Sequence, residues 1–142
     1  MKILILGAGR VGSSLASTLS KQQYEVSIVD LNKNRLQRLQ EDLDLATEVG
    51  HGSYPSTLKK AGADEETILL AVTNSDECNI TACQIAKSKF NVKKTICRLS
   101  DASYLDSLSA FGENNIDIAI SPENEVTEHL VDLIKHPGAE QI

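Results

Sequence analysis

Aromatic residues are scarce in this 142-residue sequence. Tryptophan is absent, and phenylalanine and tyrosine together make up 4% of the chain. Hydrophobic residues still reach 41% of the total, so the core must consist mainly of aliphatic side chains. An aliphatic core of this kind suits a parallel sheet that is covered by helices. The length is that of one ordinary globular domain.

Cysteines are also few, and their spacing argues against two common uses. The three cysteines are Cys78, Cys83 and Cys97, an odd number without a C-x-x-C pair. Neither a disulfide framework nor a zinc site is therefore predicted. Reduced, buried thiols in a cytoplasmic protein are the expected state.

Long apolar runs and clusters of positive charge are missing as well. No run approaches the roughly 20 residues of a membrane-spanning helix, and Arg10 interrupts the apolar N-terminal stretch that a signal peptide would need. The net charge is −6, with lysines and arginines scattered among acids. Binding to nucleic acid, direct insertion into a membrane and adsorption to anionic lipid are therefore not expected. Docking onto a membrane protein remains open.

The sequence does contain a regular alternation of strand and helix patterns. Strands are predicted at residues 3–6, 25–30, 45–49, 67–72, 95–99 and 116–120. Asn32 and Ser75 are predicted helix caps, and Gly62 is a predicted helix stop. The predicted inward-facing helix residues are Val11, Leu15, Leu19, Leu36, Leu39, Leu43, Ile80, Cys83, Ala86, Tyr104, Leu105, Leu108, Phe111, Val126, Leu130, Leu133 and Ile134.

Two of these helices have further predicted limits. Gly112 is expected to end the helix that contains Tyr104 and Phe111, and the last helix is expected to run from Pro122 to a stop at 137–138. Six β-α repeats with right-handed crossovers predict an α/β fold. We expect a single doubly wound Rossmann domain, with a six-stranded parallel sheet in the order 3-2-1-4-5-6 and helices on both faces.

The segment between the first strand and helix predicts a phosphate-binding turn. It reads Gly7-Ala8-Gly9-Arg10-Val11-Gly12, which matches G-x-G-x-x-G. Gly7 would permit the tight turn, Gly9 would let the backbone approach a pyrophosphate, and Gly12 would let the helix pack close to the strand. The N–H groups and positive dipole of the helix would then face the phosphates.

Asp30 ends the second strand, 18 positions after Gly12, close to the ~20 expected for a residue that binds a ribose diol. Its charge would repel a 2′-phosphate and so favours NAD(H) over NADP(H), although Lys33 and Arg35 follow closely. The alternative is that the glycines make only a tight turn and Asp30 caps the next helix.

Further candidates lie where other predicted strands end, which is where open α/β sheets bind ligands. Thr73 and Asn74 follow the fourth strand and would contact ribose or phosphate, or serve only as a helix start. Arg98 needs an anionic partner, either a phosphate or an acid such as Asp101. His51 is a further candidate on the adenine side and otherwise a surface histidine.

Groups that would carry out chemistry on the nucleotide are not evident. The three tyrosines are not followed by the lysine of a Tyr-x-x-x-Lys pair, a Walker A motif is absent, and no sequence remains for a substrate domain. A non-enzymatic nucleotide sensor is therefore favoured. The cofactor-binding half of an NAD-dependent dehydrogenase is the alternative, and a thiol sensor using Cys78 and Cys83 ranks last.

Several segments resemble one known family in order and spacing. They are MKILILGAGRVGSSLA at 1–16, VTNSDECN at 72–79, ICRLSDASY at 96–104 and LIKHPGA at 133–139. These segments are similar to the RCK, or KTN, domain of TrkA-type regulatory subunits of bacterial Trk potassium-uptake systems. The resemblance implies binding of NAD(H), and of ADP or ATP at the same site. Carried over by position, the contacts would be Gly7, Ala8, Gly9, Arg10, Val11, Asp30, Thr73, Asn74 and Arg98.

The resemblance also implies an assembly. Such domains form dimers and a tetrameric ring under a membrane potassium-transporter subunit of the TrkH type, at the cytoplasmic face of the plasma membrane. Members of the family are normally longer. Residues 1–135 are therefore expected to form the nucleotide-binding domain, and residues 136–142 to begin a linker to a further lobe.

Overall fold

A sheet of six parallel strands forms the centre of the computed structural model, which describes residues 1–112, 114–122 and 127–135. The strand order β3-β2-β1-β4-β5-β6 confirms the predicted order. β1 pairs with β2 on one side and with β4 on the other, so the order reverses between β1 and β4. The strands are β1 Lys2–Leu6, β2 Glu25–Asp30, β3 Ala46–Val49, β4 Thr67–Ala71, β5 Lys94–Arg98 and β6 Ile118–Ile120.

Helices cover both faces of this sheet, as predicted. On one face lie α1 Arg10–Lys21, α2 Lys33–Asp42 and α6 Thr127–Lys135. On the other face lie α3 Pro55–Lys60, α4 Asp76–Phe90 and α5 Ala102–Leu105. None of the described helices is long and apolar enough to cross a bilayer.

Local sequence explains where these helices begin and end. Asn32 Oδ1 accepts hydrogen bonds from the backbone N–H groups of Asn34 and Arg35, at 2.9 and 3.2 Å. Ser75 Oγ accepts one from the N–H of Cys78 at 3.2 Å. Both predicted caps are thereby confirmed, because each oxygen satisfies an N–H that the helix itself leaves unpaired.

The core consists of two aliphatic layers, one on each face of the sheet. Alternate residues of β1 point into different layers, with Ile5 in one and Leu4 in the other. β4 is buried at all five positions, as expected of a strand covered on both faces. Leu130, Leu133 and Ile134 of α6 are buried against the layer that contains α1, which confirms their predicted orientation.

Two predicted helix details are wrong. The helix predicted through Tyr104 and Phe111 is interrupted: α5 ends at Leu105, and a short 3₁₀ helix follows over Leu108–Phe111. Asp106 and Ser107 lie between the two pieces, and both residue types form helices poorly because their side chains compete for backbone hydrogen bonds. The apolar side chains of both pieces still pack on one core layer.

The second error concerns Leu43, which adopts an extended conformation as the residue that terminates α2. The predicted contribution of Val126, the start of the last helix through residues 123–126 and its stop at Pro137 and Gly138 lie outside the described residues.

Candidate nucleotide-binding site

The glycine turn follows β1 and lies beside the ends of β2 and β4. Gly7 donates its N–H to Val29 O at 2.8 Å, and Val72 donates to Leu6 O at 3.0 Å. The φ angle of Gly7 is +106°, and a Cβ there would come within 3.1 Å of the Thr73 backbone. Position 7 therefore requires glycine for both its conformation and its space.

Gly12 and Gly9 have different surroundings. Gly12 is buried in the first turn of α1, where a Cβ would overlap the carbonyl oxygen of Gly7. A Cβ on Gly9, in contrast, would meet no heavy atom within 4 Å. α1 begins at Arg10 without a side-chain cap and without an acid in its first turn. The positive end of its dipole therefore faces the open space beside Gly9.

Asp30 links this turn to the end of β2. Its Oδ1 accepts the backbone N–H of Ala8 at 2.7 Å, and its Oδ2 accepts that of Asn32 at 2.8 Å. The side chain that caps α2 is Asn32 and not Asp30, so the predicted alternative of a pure helix cap is wrong. A carboxylate oxygen can accept two hydrogen bonds, and each oxygen of Asp30 has one acceptor position beyond these backbone contacts.

Two clefts meet at Asp30, Gly7 and Thr73. The first has a volume of about 310 Å³ and extends towards the ends of β2 and β3. Its lining comprises Gly7, Val29, Asp30, Leu31, Asn32, Arg35, Gly50, His51, Gly52, Thr73, Asn74, Ser75 and Cys78. His51 is fixed in its wall: its ring stacks on Tyr54 at 4.6 Å between centroids, and its Nδ1 lies 2.9 Å from Ser53 Oγ.

The second cleft has a volume of about 320 Å³ and extends towards β5. Its lining comprises Gly7, Gly9, Arg10, Val11, Asp30, Arg35, Val72, Thr73, Asn74 and Arg98. Arg98 is half-buried, and its Nη1 donates to Thr73 O at 3.2 Å. The suggested partner Asp101 caps α5 by accepting the N–H of Ser103 at 2.8 Å.

The structure thus gathers most of the predicted residues around one opening. Gly12 lines neither cleft, because it is packed beneath Gly7. Ala8 lies at the rim of a shallower hollow that also contains Arg10, Arg35 and Arg38. Arg35 lines both clefts and the hollow, so positive charge surrounds the glycine turn.

Sequence reasoning missed Asn79. This residue of α4 is fully buried, and its amide bonds to the backbone of both Thr73 and Arg98. Asn79 lies on the predicted apolar stripe of α4, four residues before Cys83. A polar residue in such a stripe, near the end of a strand, is the signal that would have identified it.

Asp76 was missed in the same way. Its carboxylate is 9% exposed and accepts hydrogen bonds from the N–H groups of Ser100 and Asp101, at 2.9–3.1 Å. It therefore fixes the loop that follows Arg98. From sequence alone, an acid at this position is equally typical of the first turn of a helix.

The three cysteines differ in their surroundings. Cys78 is half-buried in the wall of the first cleft, and this burial raises the pKa of its thiol. Cys83 is fully buried, and the neighbouring Cys97 thiol together with burial raises its pKa. All three are free. Within the described parts of the chain, no cluster of three or more His, Cys, Asp or Glu side chains could hold a metal ion.

Sequence comparison finds close bacterial relatives. The chain is 44% identical over 144 residues to the Trk system potassium uptake protein TrkA of Halomonas elongata, and 43% identical over 145 residues to that of Vibrio alginolyticus. Each alignment covers 100% of this chain but 32% of the relative. The chain thus spans about a third of the length of these relatives.

Solved structures share the fold at lower identity. The TrkA-N domain of the inner membrane protein ybaL from Escherichia coli superimposes with a TM-score of 0.72 at 19% identity, over 94% of this chain and 96% of that one. GsuK bound to ADP gives 0.69 at 23% identity, over 96% and 34%. The GsuK channel bound to NAD gives 0.67 at 17% identity, over 84% and 21%.

The TrkA-N domain family model matches residues 3–122. That match includes all six strands except Lys2 of β1, together with the glycine turn, Asp30 and every residue that lines the two clefts. On this match and the close bacterial relatives, the chain belongs to the TrkA-N domain family.

Proposed function

We propose that the chain is a nucleotide-sensing regulatory domain of a potassium-uptake system. The observation that carries this proposal is Asp30, whose carboxylate lies where the two clefts meet and is held by the N–H groups of Ala8 and Asn32. Its remaining acceptor positions suit the two hydroxyls of a ribose. NAD(H) is the proposed ligand, with ADP or ATP at the same site. The relatives named as potassium uptake proteins, and the likeness to GsuK bound to NAD and to ADP, support it.

In this proposal the nucleotide spans both clefts. Adenine lies in the first cleft near His51, and the phosphates lie over Gly9 at the start of α1. Thr73 and Asn74 contact the ligand where the clefts join. Arg98 lies beyond, in the second cleft, and supplies a charged donor to a phosphate.

The lining of the second cleft also favours a sensor over an enzyme. Its ionisable side chains are Arg10, Arg35, Arg98 and Asp30. A guanidinium remains protonated and is a poor general acid or base, and Asp30 already accepts two backbone hydrogen bonds. The cofactor half of an NAD-dependent dehydrogenase remains the alternative, since that function would take its acid–base groups from another domain.

The names of the relatives as potassium uptake proteins support a potassium transporter as the partner. We infer that the domain acts from the cytoplasmic side of the plasma membrane, in a homo-oligomer that contacts a membrane potassium-transporter subunit. Regulation then requires two conformations of the assembly that bind the nucleotide with different affinity. The nucleotide would bias the transporter only by that difference in affinity.

Calorimetry with NAD, NADH, ADP, ATP and NADPH tests the proposal directly. We expect binding of the first four, which all carry a free ribose diol, and weaker binding of NADPH. Absence of binding by all five would refute nucleotide sensing. Incubation of the full-length protein with NADH and candidate carbonyl substrates separates the two functions, because turnover would establish the dehydrogenase alternative.

A further inference from the structure

Asn79 makes four hydrogen bonds from a side chain that has no exposed surface. Its Oδ1 accepts from Thr73 N at 3.1 Å and from Thr73 Oγ1 at 2.6 Å. Its Nδ2 donates to Thr73 O at 3.1 Å and to Arg98 O at 2.9 Å. The amide thus uses two donors and two acceptor positions, its full capacity.

These bonds join three elements at the edge of the second cleft. Asn79 projects from α4, whereas Thr73 follows β4 and Arg98 ends β5. Thr73 O also accepts a hydrogen bond from the guanidinium of Arg98 at 3.2 Å. The buried amide of Asn79 therefore holds the backbone of Arg98 directly. It also holds Thr73, whose carbonyl oxygen accepts the hydrogen bond from the Arg98 guanidinium.

We propose that Asn79 is a positioning residue that sets the affinity of the second cleft for the part of a dinucleotide beyond the adenosine. The inference rests on the proposed function. Removal of the amide would leave the N–H and carbonyl of Thr73 and the carbonyl of Arg98 without this partner, and buried unpaired groups force rearrangement. Thr73 and Arg98 would then no longer present a fixed pair of contacts to the ligand.

The effect should depend on the ligand. NADH is long enough to occupy both clefts, whereas AMP needs only the first cleft and the glycine turn. Neither Ala8 nor Asn32, the two groups that hold Asp30, is bonded to Asn79. Thr73 lines both clefts, whereas Arg98 lines only the second. Loss of the amide should therefore weaken NADH more than AMP.

Thr95 provides a matched control. It is also fully buried, and its Oγ1 donates to Asn115 O at 2.8 Å, but it lies near the other end of β5 and lines neither cleft. Thr95→Val removes a buried polar interaction of similar kind. It should lower stability without changing the ratio of the NADH and AMP dissociation constants.

The experiment measures both dissociation constants by calorimetry for wild type, Asn79→Ala, Asn79→Ser and Thr95→Val. We expect Asn79→Ala to weaken NADH by roughly tenfold, the loss typical of a displaced charged hydrogen bond, and to weaken AMP clearly less. Asn79→Ser keeps a polar group in a smaller side chain and serves if the alanine variant does not fold. In wild type, hydrogen exchange at the Thr73 amide should slow more with NADH than with AMP, a measurement that needs no variant.

Equal losses for both ligands, or an unchanged NADH affinity, would overturn the inference and leave the proposed function intact. The same ratio change in Thr95→Val would also overturn it, as a general effect of destabilisation. Hydrogen exchange at the Thr73 amide that NADH does not slow would also overturn the inference, and this test needs no substitution. Wild type that binds neither nucleotide would refute the proposed function, and this inference with it.

Discussion

The backbone N–H of Ala8 donates a hydrogen bond of 2.7 Å to the carboxylate of Asp30. The side chain proposed to bind a ribose therefore also fixes the turn proposed to bind the phosphates. A substitution at position 30 changes both at once. Its effects on affinity and on the shape of the turn must be separated by the choice of substitution.

Asp30→Ala should weaken binding of NADH and ADP by about 1.5–3 kcal/mol, the value of a hydrogen bond to a charged group. Asp30→Asn keeps an oxygen that can accept the N–H of Ala8 but loses the charge, so it should weaken binding with less effect on thermal stability. Calorimetry and thermal unfolding of both variants measure the two effects. Binding of NADPH by wild type as tightly as NADH would contradict the role of Asp30.

Arg98→Ala should also weaken binding of NADH by about 1.5–3 kcal/mol, because a charged donor is lost from the second cleft. Arg38→Ala is a suitable control, since Arg38 is exposed and lines only the outer hollow. Titration calorimetry on both variants compares them. If NADH binds equally well without the Arg98 guanidinium, its role is limited to the hydrogen bond with Thr73 O.

Gly12→Ala should lower stability, whereas Gly9→Ala should weaken nucleotide binding. The first places a methyl group onto the Gly7 carbonyl and should lower the free energy of unfolding by about 3 kcal/mol or more. The second adds a methyl group in open space and should leave stability nearly unchanged while weakening nucleotide binding. Chemical denaturation and calorimetry measure the two quantities. A Gly9→Ala variant with full affinity would place the phosphates elsewhere.

Cys78 should be the first thiol to react with iodoacetamide, because Cys83 and Cys97 are fully buried. Burial raises the pKa of Cys78 above its ordinary 9.0, so the thiolate is scarce near pH 7 and the rate should still increase beyond pH 9. NADH or ADP in the first cleft should protect it. Mass spectrometry identifies the modified residue, and labelling that nucleotides do not slow would count against occupation of this cleft.

Asp64→Asn should reduce stability at pH 7 by about 0.2–1 kcal/mol, the range for an exposed ion pair. Lys2 Nζ lies 2.6 Å from Asp64 Oδ2 and donates to Gly62 O at 2.8 Å, and the bond to Lys2 holds the pKa of Asp64 below its ordinary 3.8. Because the pKa of Asp64 is lower in the folded than in the unfolded protein, its ion pair stabilises the fold above pH 3.8. This contribution disappears as the pH falls through the pKa of Asp64 in the folded protein. Denaturation of wild type, Asp64→Asn and the neighbouring control Glu65→Gln at pH 7 and pH 3 tests this. A difference at pH 3 as large as that at pH 7 would have another origin.

Sequence patterns were sufficient for the order of the strands because each strand is a short apolar run and each helix has an apolar stripe. The right-handed crossover rule then leaves few arrangements. The caps Asn32 and Ser75 were predictable for the same local reason. The break at Asp106 and Ser107 was not, because the apolar spacing from Tyr104 to Phe111 remains helical on both sides of it.

The residues proposed to contact the nucleotide were easier to predict than those that hold them in place. Gly7, Asp30 and Arg98 belong to recognisable positions at strand ends. Asn79 and Asp76 act on backbone groups 6–25 residues away, and such pairings depend on the finished fold. A single sequence shows a polar residue on a helix but not the N–H groups that it will meet.

The central position of β1 also has a consequence for the order of folding. β1 meets β2 about 20 residues later in the chain, whereas its other neighbour β4 begins only at Thr67. During synthesis, one edge of this strand, which is apolar from Ile3 to Leu6, stays unpaired until Ala71 has emerged. Unpaired apolar edges promote aggregation, so polypeptides that end between β3 and β4 should require chaperones to remain soluble. The strand that carries the glycine turn thus gains its second neighbour later than β2 does, which needs only β1 and β3.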